Sequence, residues 1–255
     1  MAGMLEGKSA LVTGGGSGIG RATALAMARE GAWVAVADLS LEAARATVAA
    51  IEEKEGQAVA IAADVADPAA VQAMVEAAVA AFGGLDCAFN NAGIAPGAVD
   101  AGNRPVCEID PAAWDRLLAV NLTGVWHCLR AEVAQMRHQG GGAIVNTASI
   151  GGLVGLPGSS AYTVSKHGVL GLTRVAAADY AAENIRVNAI CPGYVETPMI
   201  AATIQRHGGR ITARTPMRRF GTPEEIAEAV VFLCSDRAGF VTGSAWTADG
   251  GYTAV

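Results

Sequence analysis

The chain has 255 residues and a formal net charge of -6 at pH 7; it is 52% hydrophobic, 5% aromatic and 16% charged. That composition supplies a packed core and lacks the signature of disorder, while the acidic balance opposes binding to a nucleic-acid backbone, which calls for a basic face. The five cysteines, Cys87, Cys107, Cys128, Cys191 and Cys234, are odd in number and scattered without a CxxC pair, so neither a disulfide framework nor a zinc site is expected. No uninterrupted apolar run reaches membrane-spanning length and the N-terminus shows no charged-then-apolar leader, so a reducing cytoplasm is the expected compartment.

Short apolar or β-branched runs alternate with Ala-rich helical stretches. A strand at 9–14 leads into a helix at 19–31, a strand at 33–38 into a helix at 41–56, and a strand at 58–65 into a helix from 67 to 83. A strand at 85–93 follows, then one helix over 110–136, a strand at 143–149, a helix over 161–181 and a strand at 185–193. Strand–helix alternation implies right-handed crossovers and a parallel sheet covered on both faces, in one α/β domain. Asp67-Pro68 and Asp110-Pro111 each pair a capping carboxylate with proline at the first helical position, and Thr222 with Glu225 forms a capping box. The longest irregular stretches fall at 93–109 and 192–222, each after the carboxyl end of a strand, where ligands bind in open α/β sheets.

The first strand runs straight into TGGGSGIG, Thr13 to Gly20, and then a helix. Glycines there let the backbone approach a pyrophosphate, and the helix N-terminus supplies oriented N–H groups. Asp38 closes the second strand at the spacing expected of a carboxylate that holds the adenine-ribose hydroxyls, although a cap on the next helix would also use it. A carboxylate repels a 2′-phosphate, and neither Ser17 nor Leu39 is a cation, so NAD is favoured over NADP. Tyr162 and Lys166, four positions apart on the 161–181 helix, share one face and bring a phenol beside an ammonium.

Together these motifs resemble the short-chain dehydrogenase/reductase family over essentially the whole chain. Thr13, Gly14, Gly18 and Gly20 match its glycine loop, Asn90-Asn91-Ala92-Gly93 its motif after the fourth strand, and Asp64-Val65 its adenine-contacting pair. Asn121, Ser149, Tyr162 and Lys166 fall where the family carries its catalytic tetrad, and Pro192-Gly193 match the segment under the nicotinamide. The resemblance implies a single-domain Rossmann fold with a doubly wound, seven-stranded parallel sheet over 1–255. Its cofactor-binding part spans about 1–150, its catalytic and substrate-binding part about 140–255, and a homotetramer is usual. Ile19, Val195 and Thr197 join the expected cofactor contacts; Thr197 also stands where a cap before Pro198 would.

An unperturbed phenol is almost fully protonated at neutral pH, and a cation one helical turn away, together with the positive charge of an oxidised nicotinamide, lowers its pKa. Tyr162 is therefore the expected general base for alcohol oxidation and acid for ketone reduction. The resemblance implies that Lys166 also bonds the nicotinamide ribose and that Asn121 holds a water for proton relay. Ser149, at a strand end, is suited to bind the substrate oxygen. Ile150, Gly151, Leu153 and Val154 after Ser149, with Tyr194 and Met199 after the Pro-Gly turn, make the expected substrate wall. That wall is mostly apolar and points to a hydrophobic secondary alcohol or its ketone. Two other readings are reduction of a 3-oxoacyl thioester on a carrier protein and a dinucleotide-binding sensor without turnover. Asp38 weighs against the first, and the intact tetrad against the second.

Overall fold

A computed structural model describes residues 3–255. Seven parallel strands form one sheet in the order β3-β2-β1-β4-β5-β6-β7. They are β1 (Ser9–Thr13), β2 (Trp33–Asp38), β3 (Ala58–Ala62), β4 (Cys87–Asn90), β5 (Gly142–Thr147), β6 (Ile185–Pro192) and β7 (Ala245–Ala248). Eight helices connect and cover them: α1 (Gly18–Arg29), α2 (Leu41–Glu52), α3 (Pro68–Phe82), α4 (Pro111–Leu118), α5 (Gly124–Gln139), α6 (Ser160–Tyr180), α7 (Ala201–Arg214) and α8 (Pro223–Cys234).

The two-residue period of the strands divides the core. Leu11, Ala88 and Ile144 pack with residues of α3, α5 and α6 on one face. Their neighbours Val12, Phe89 and Val145 pack with α1, α2 and α8 on the other. The strand order reverses between β1 and β4, and the crevice outside their carboxyl ends is where an open α/β sheet binds its ligand. Among the described residues, no helix is long and apolar enough to cross a membrane.

The local helix signals hold. The Asp67 carboxylate accepts from Ala69 N and the Asp110 carboxylate from Ala112 N, while Thr222 and Glu225 close their reciprocal box. The helix expected over 110–136 runs without a gap from α4 into α5 through a π turn, Ala119–Thr123. One expectation is corrected. The stretch 192–222, expected to be irregular, contains α7, whose one buried residue is Ile211; Gly208 and Gly209 in its interior oppose a helix on local propensity.

Candidate active site

The turn after β1 is built from close approaches. Gly14 has φ +63, and a β-carbon there would stand 2.9 Å from Ala92 Cα. A β-carbon on Gly20 would meet Gly14 O at 2.1 Å. Thr13 Oγ1 accepts from the amides of Asn91 at 3.0 Å and Ala92 at 3.1 Å, tying β1 to the segment after β4. Asn91 Nδ2 returns the contact, donating to the carbonyls of Thr13 and Gly14 at 3.2 Å each. Ser17 precedes α1 without a side-chain capping bond, so the first-turn donors are left for a ligand.

Asp38 is fixed at both oxygens: Oδ2 accepts from Gly16 N and Oδ1 from Ser40 N, each at 2.9 Å. Ser40, rather than Asp38, caps α2, through a bond from Ala43 N. Asp64 accepts from Ala66 N at 2.9 Å and faces Arg116 at 3.9 Å. Val65 is buried, and its carbonyl lies 3.1 Å from His127 Nδ1. Asp38, exposed Leu39, Asp64 and Val65 line one end of a cleft. Gly14, Ser17, Gly18 and Ile19 line its middle, and Asn91, Ala92 and Gly93 continue it.

That cleft opens into a second cavity bordered by Asn121, Ser149, Tyr162, Lys166, Pro192, Gly193, Val195 and Thr197. A β-carbon on Gly193 would lie 2.7 Å from Asp249 Cα, so only glycine lets the chain after β6 pass there. Thr197 makes no side-chain capping bond, and its methyl would stand 3.2 Å from a β-carbon on Gly18, which brings this segment over the glycine turn. Asn121 is fully buried in the π turn. Its Oδ1 accepts from Ile94 N at 2.8 Å and its Nδ2 donates to Ile94 O at 2.9 Å, pairing with one residue's backbone as a strand would.

Ser149 Oγ accepts from Gly151 N at 3.0 Å, and Ser149 borders the same cavity as the Tyr162 phenol. Lys166 Nζ lies 5.8 Å from the centre of the Tyr162 ring and donates to Thr147 O at 2.7 Å. In the protein alone, burial pushes the Tyr162 phenol above its ordinary value, with the Ser149 hydroxyl opposing; the expected lowering also counts the charge of an oxidised nicotinamide. The same burial draws Lys166 down to about 8, since an ammonium 4% exposed has lost most of its hydration.

The expected substrate wall assembles only in part. Met199 borders the catalytic cavity. Gly151 lies against the Tyr162 ring, where a β-carbon would stand 3.2 Å from Tyr162 Cε1. Ile150 is buried, Leu153 packs against the core and Val154 is exposed, because the chain after Ser149 makes a short 3-10 turn. Tyr194 packs edge-on against Tyr252, ring centres 5.6 Å apart. Sequence reasoning missed Arg116, Met74, Val120 and Ile94, which also line the cleft. Arg116 and Asp64 lie on separate elements, so no local spacing announces their pairing.

Residues 14–253 match the family model described as enoyl-(acyl carrier protein) reductase. The chain is 46% identical over 253 residues to cyclohexanol dehydrogenase of Acinetobacter sp. (strain SE19), covering 99% of this chain and 98% of that one. The crystal structure of a levodione reductase superposes with a TM-score of 0.94 at 39% identity, covering 98% of this chain and 99% of that one. A proposed NAD(P)-dependent gluconate 5-dehydrogenase from Beutenbergia cavernae, solved with NADP at low occupancy, gives 0.91 at 38% identity over 98% of each chain. The chain belongs to the short-chain dehydrogenase/reductase family. It is an oxidoreductase acting on CH–OH groups and binds a nicotinamide dinucleotide.

Proposed function

We propose that the enzyme uses NAD(H) to interconvert a hydrophobic cyclic secondary alcohol, of the cyclohexanol kind, and its ketone. The observation that carries this reading is the meeting of Ser149, Tyr162 and Lys166 where the glycine-turn cleft enters the second cavity. The tight glycines and the uncapped start of α1 fit a dinucleotide, which when bound accepts or donates the hydride. Asp38 supports NAD over NADP: two backbone amides hold its carboxylate, so it cannot swing aside for a phosphate.

Tyr162 takes the hydroxyl proton during oxidation, where the positive charge of a bound oxidised nicotinamide would favour its phenolate against burial, and returns it during reduction. Ser149 steadies the substrate oxygen as its charge changes. Lys166, poised near 8, supplies positive charge below that pH and a proton acceptor above it. Asn121 supports the site by holding Ile94 at the cavity wall. The exposed Trp126, Val164 and Val175 on α5 and α6 suit a face shared between copies, consistent with a homotetramer in the cytoplasm.

Reduction of an acyl thioester on a carrier protein is a second reading, favoured by one feature. Arg206, Arg210 and Arg214 recur every fourth residue along α7, on one exposed side, and suit an acidic carrier. Turnover of cyclohexanone and of a 3-oxoacyl thioester, each with NADH and NADPH, separates the two. Turnover of the thioester alone would favour the second.

A further inference from the structure

Glu132, on α5, is fully buried. Its Oε2 accepts from Asn90 Nδ2 at 2.8 Å, and Asn90 Nδ2 gives its other hydrogen to Asn146 Oδ1 at 3.0 Å. Asn146 Nδ2 then donates to Thr173 Oγ1 at 3.0 Å, which donates to Val169 O at 2.8 Å. Two buried atoms in this network have no partner, Glu132 Oε1 and Asn90 Oδ1. Both are acceptors, and they belong to side chains already joined by one hydrogen bond. Buried polar groups are seldom left unpaired, because each orphan costs about 1–3 kcal/mol.

We infer that Glu132 is a positioning residue held as the neutral carboxylic acid: its Oε1–H supplies the donor that Asn90 Oδ1 lacks, closing a two-bond acid–amide ring. Burial favours that form, pushing the Glu132 carboxyl from 4.5 up to about 7. The ionisable group that feels it is the Cys128 thiol, one turn earlier on α5 and itself raised by burial. Asn90 from β4 bonds it, Asn146 from β5 and Thr173 from α6 extend that network without charge, and no cation from these elements or from α3 lowers it.

The ring acts through the three elements that carry the site. Asn90 directly precedes Asn91, Ala92 and Gly93 of the cleft. Asn146 precedes Thr147, whose carbonyl holds Lys166, and stands three residues before Ser149. Thr173 lies seven residues after Lys166, two helical turns along one face. Ionising Glu132 puts an unpaired charge between these elements and shifts them relative to one another.

The test compares the full-length wild type with Glu132→Gln and Glu132→Ala by urea unfolding and by kcat for cyclohexanol with NAD. The glutamine restores both bonds as an amide–amide ring, so Glu132→Gln keeps kcat within about twofold at pH 6, whereas Glu132→Ala loses about tenfold or more. The unfolded chain releases this proton at its ordinary value and the native chain only later. The wild-type to Glu132→Gln ratio of folding constants therefore falls about tenfold per pH unit between 4.5 and about 7. The corresponding kcat ratio falls severalfold between about pH 6 and 8.5 as Glu132 ionises.

A glutamine variant as damaged as the alanine at pH 6, or a folding ratio flat with pH, overturns the neutral acid. A sloping folding ratio with a flat kcat ratio overturns the positioning role. The kinetic arm rests on the alcohol reading, but the unfolding arm needs no substrate. Failure of that reading would appear as absent turnover in the wild type, with the folding slope intact.

Discussion

Lys166 Nζ donates to the carbonyl oxygen of Thr147 at 2.7 Å, joining α6 to the end of β5 inside the site. Ser149 follows Thr147 by two residues and Tyr162 precedes Lys166 by one helical turn, so this bond sets how far the phenol lies from the serine hydroxyl.

The buried ammonium also makes stability depend on pH. Lys166 is drawn down to about 8 in the native chain, against an ordinary value of 10.5. Between those values the unfolded chain holds a proton that the native chain has released, so stability rises with pH by about 1.4 kcal/mol per unit from this group. The contribution is complete above 10.5 and is lost as pH falls through about 8. Lys166→Met removes it. The difference in urea midpoint between wild type and variant should therefore change steadily across that window, and a constant difference would exclude the shift.

Asp38 spans Gly16 and Ser40, and its loss should act on the cofactor end of the cleft alone. Asp38→Ala is expected to weaken NADH binding by about tenfold or more, the scale of one lost charged hydrogen bond, while NADPH binding stays level or improves. Fluorescence titration with both dinucleotides checks this; an equal loss for both would remove the ribose role.

Gly20→Ala should abolish dinucleotide binding. Its new methyl would meet Gly14 O at 2.1 Å and Asn91 Nδ2 at 2.6 Å, forcing α1 away from the glycine turn. The same titration, paired with a melting curve to show that the chain still folds, reads the effect. Tight binding by this variant would mean that the turn does not hold the pyrophosphate.

Asn121→Ala strands both backbone groups of Ile94. The expected destabilisation is about 1–3 kcal/mol for each group that water fails to reach, together with a lower kcat as the cavity wall loosens. Urea unfolding and steady-state rates measure both, and a variant matching wild type in each would deny Asn121 its supporting role.

The features legible in the sequence were those with local causes. Asp67, Asp110 and Thr222 mark helix starts because a cap needs only its own first turn. The strands and the glycine turn show themselves in β-branched runs punctuated by glycine, and Tyr162 with Lys166 in a spacing of four. Features set across the chain were not legible. The π turn at Asn121 depends on bonds to Ile94, which is 27 positions away. Helix α7 carries Gly208 and Gly209 in its interior, which lowers its local helix propensity, and Ile150 and Leu153 turn inward only because of the short helix after Ser149. The Tyr162 expectation weighed neighbouring charge; the burial that opposes it comes only from the packed fold.

The most direct test of the account is NADH consumption with cyclohexanone by wild type and Tyr162→Phe, with NADH binding measured on both. We predict turnover by the wild type, weaker with NADPH, and a loss of about 10²–10⁴-fold in the variant with NADH binding retained. Tyr162→Phe turning over like wild type would contradict its acid–base role, and a wild type inert toward the ketone while binding NADH would contradict the proposed substrate.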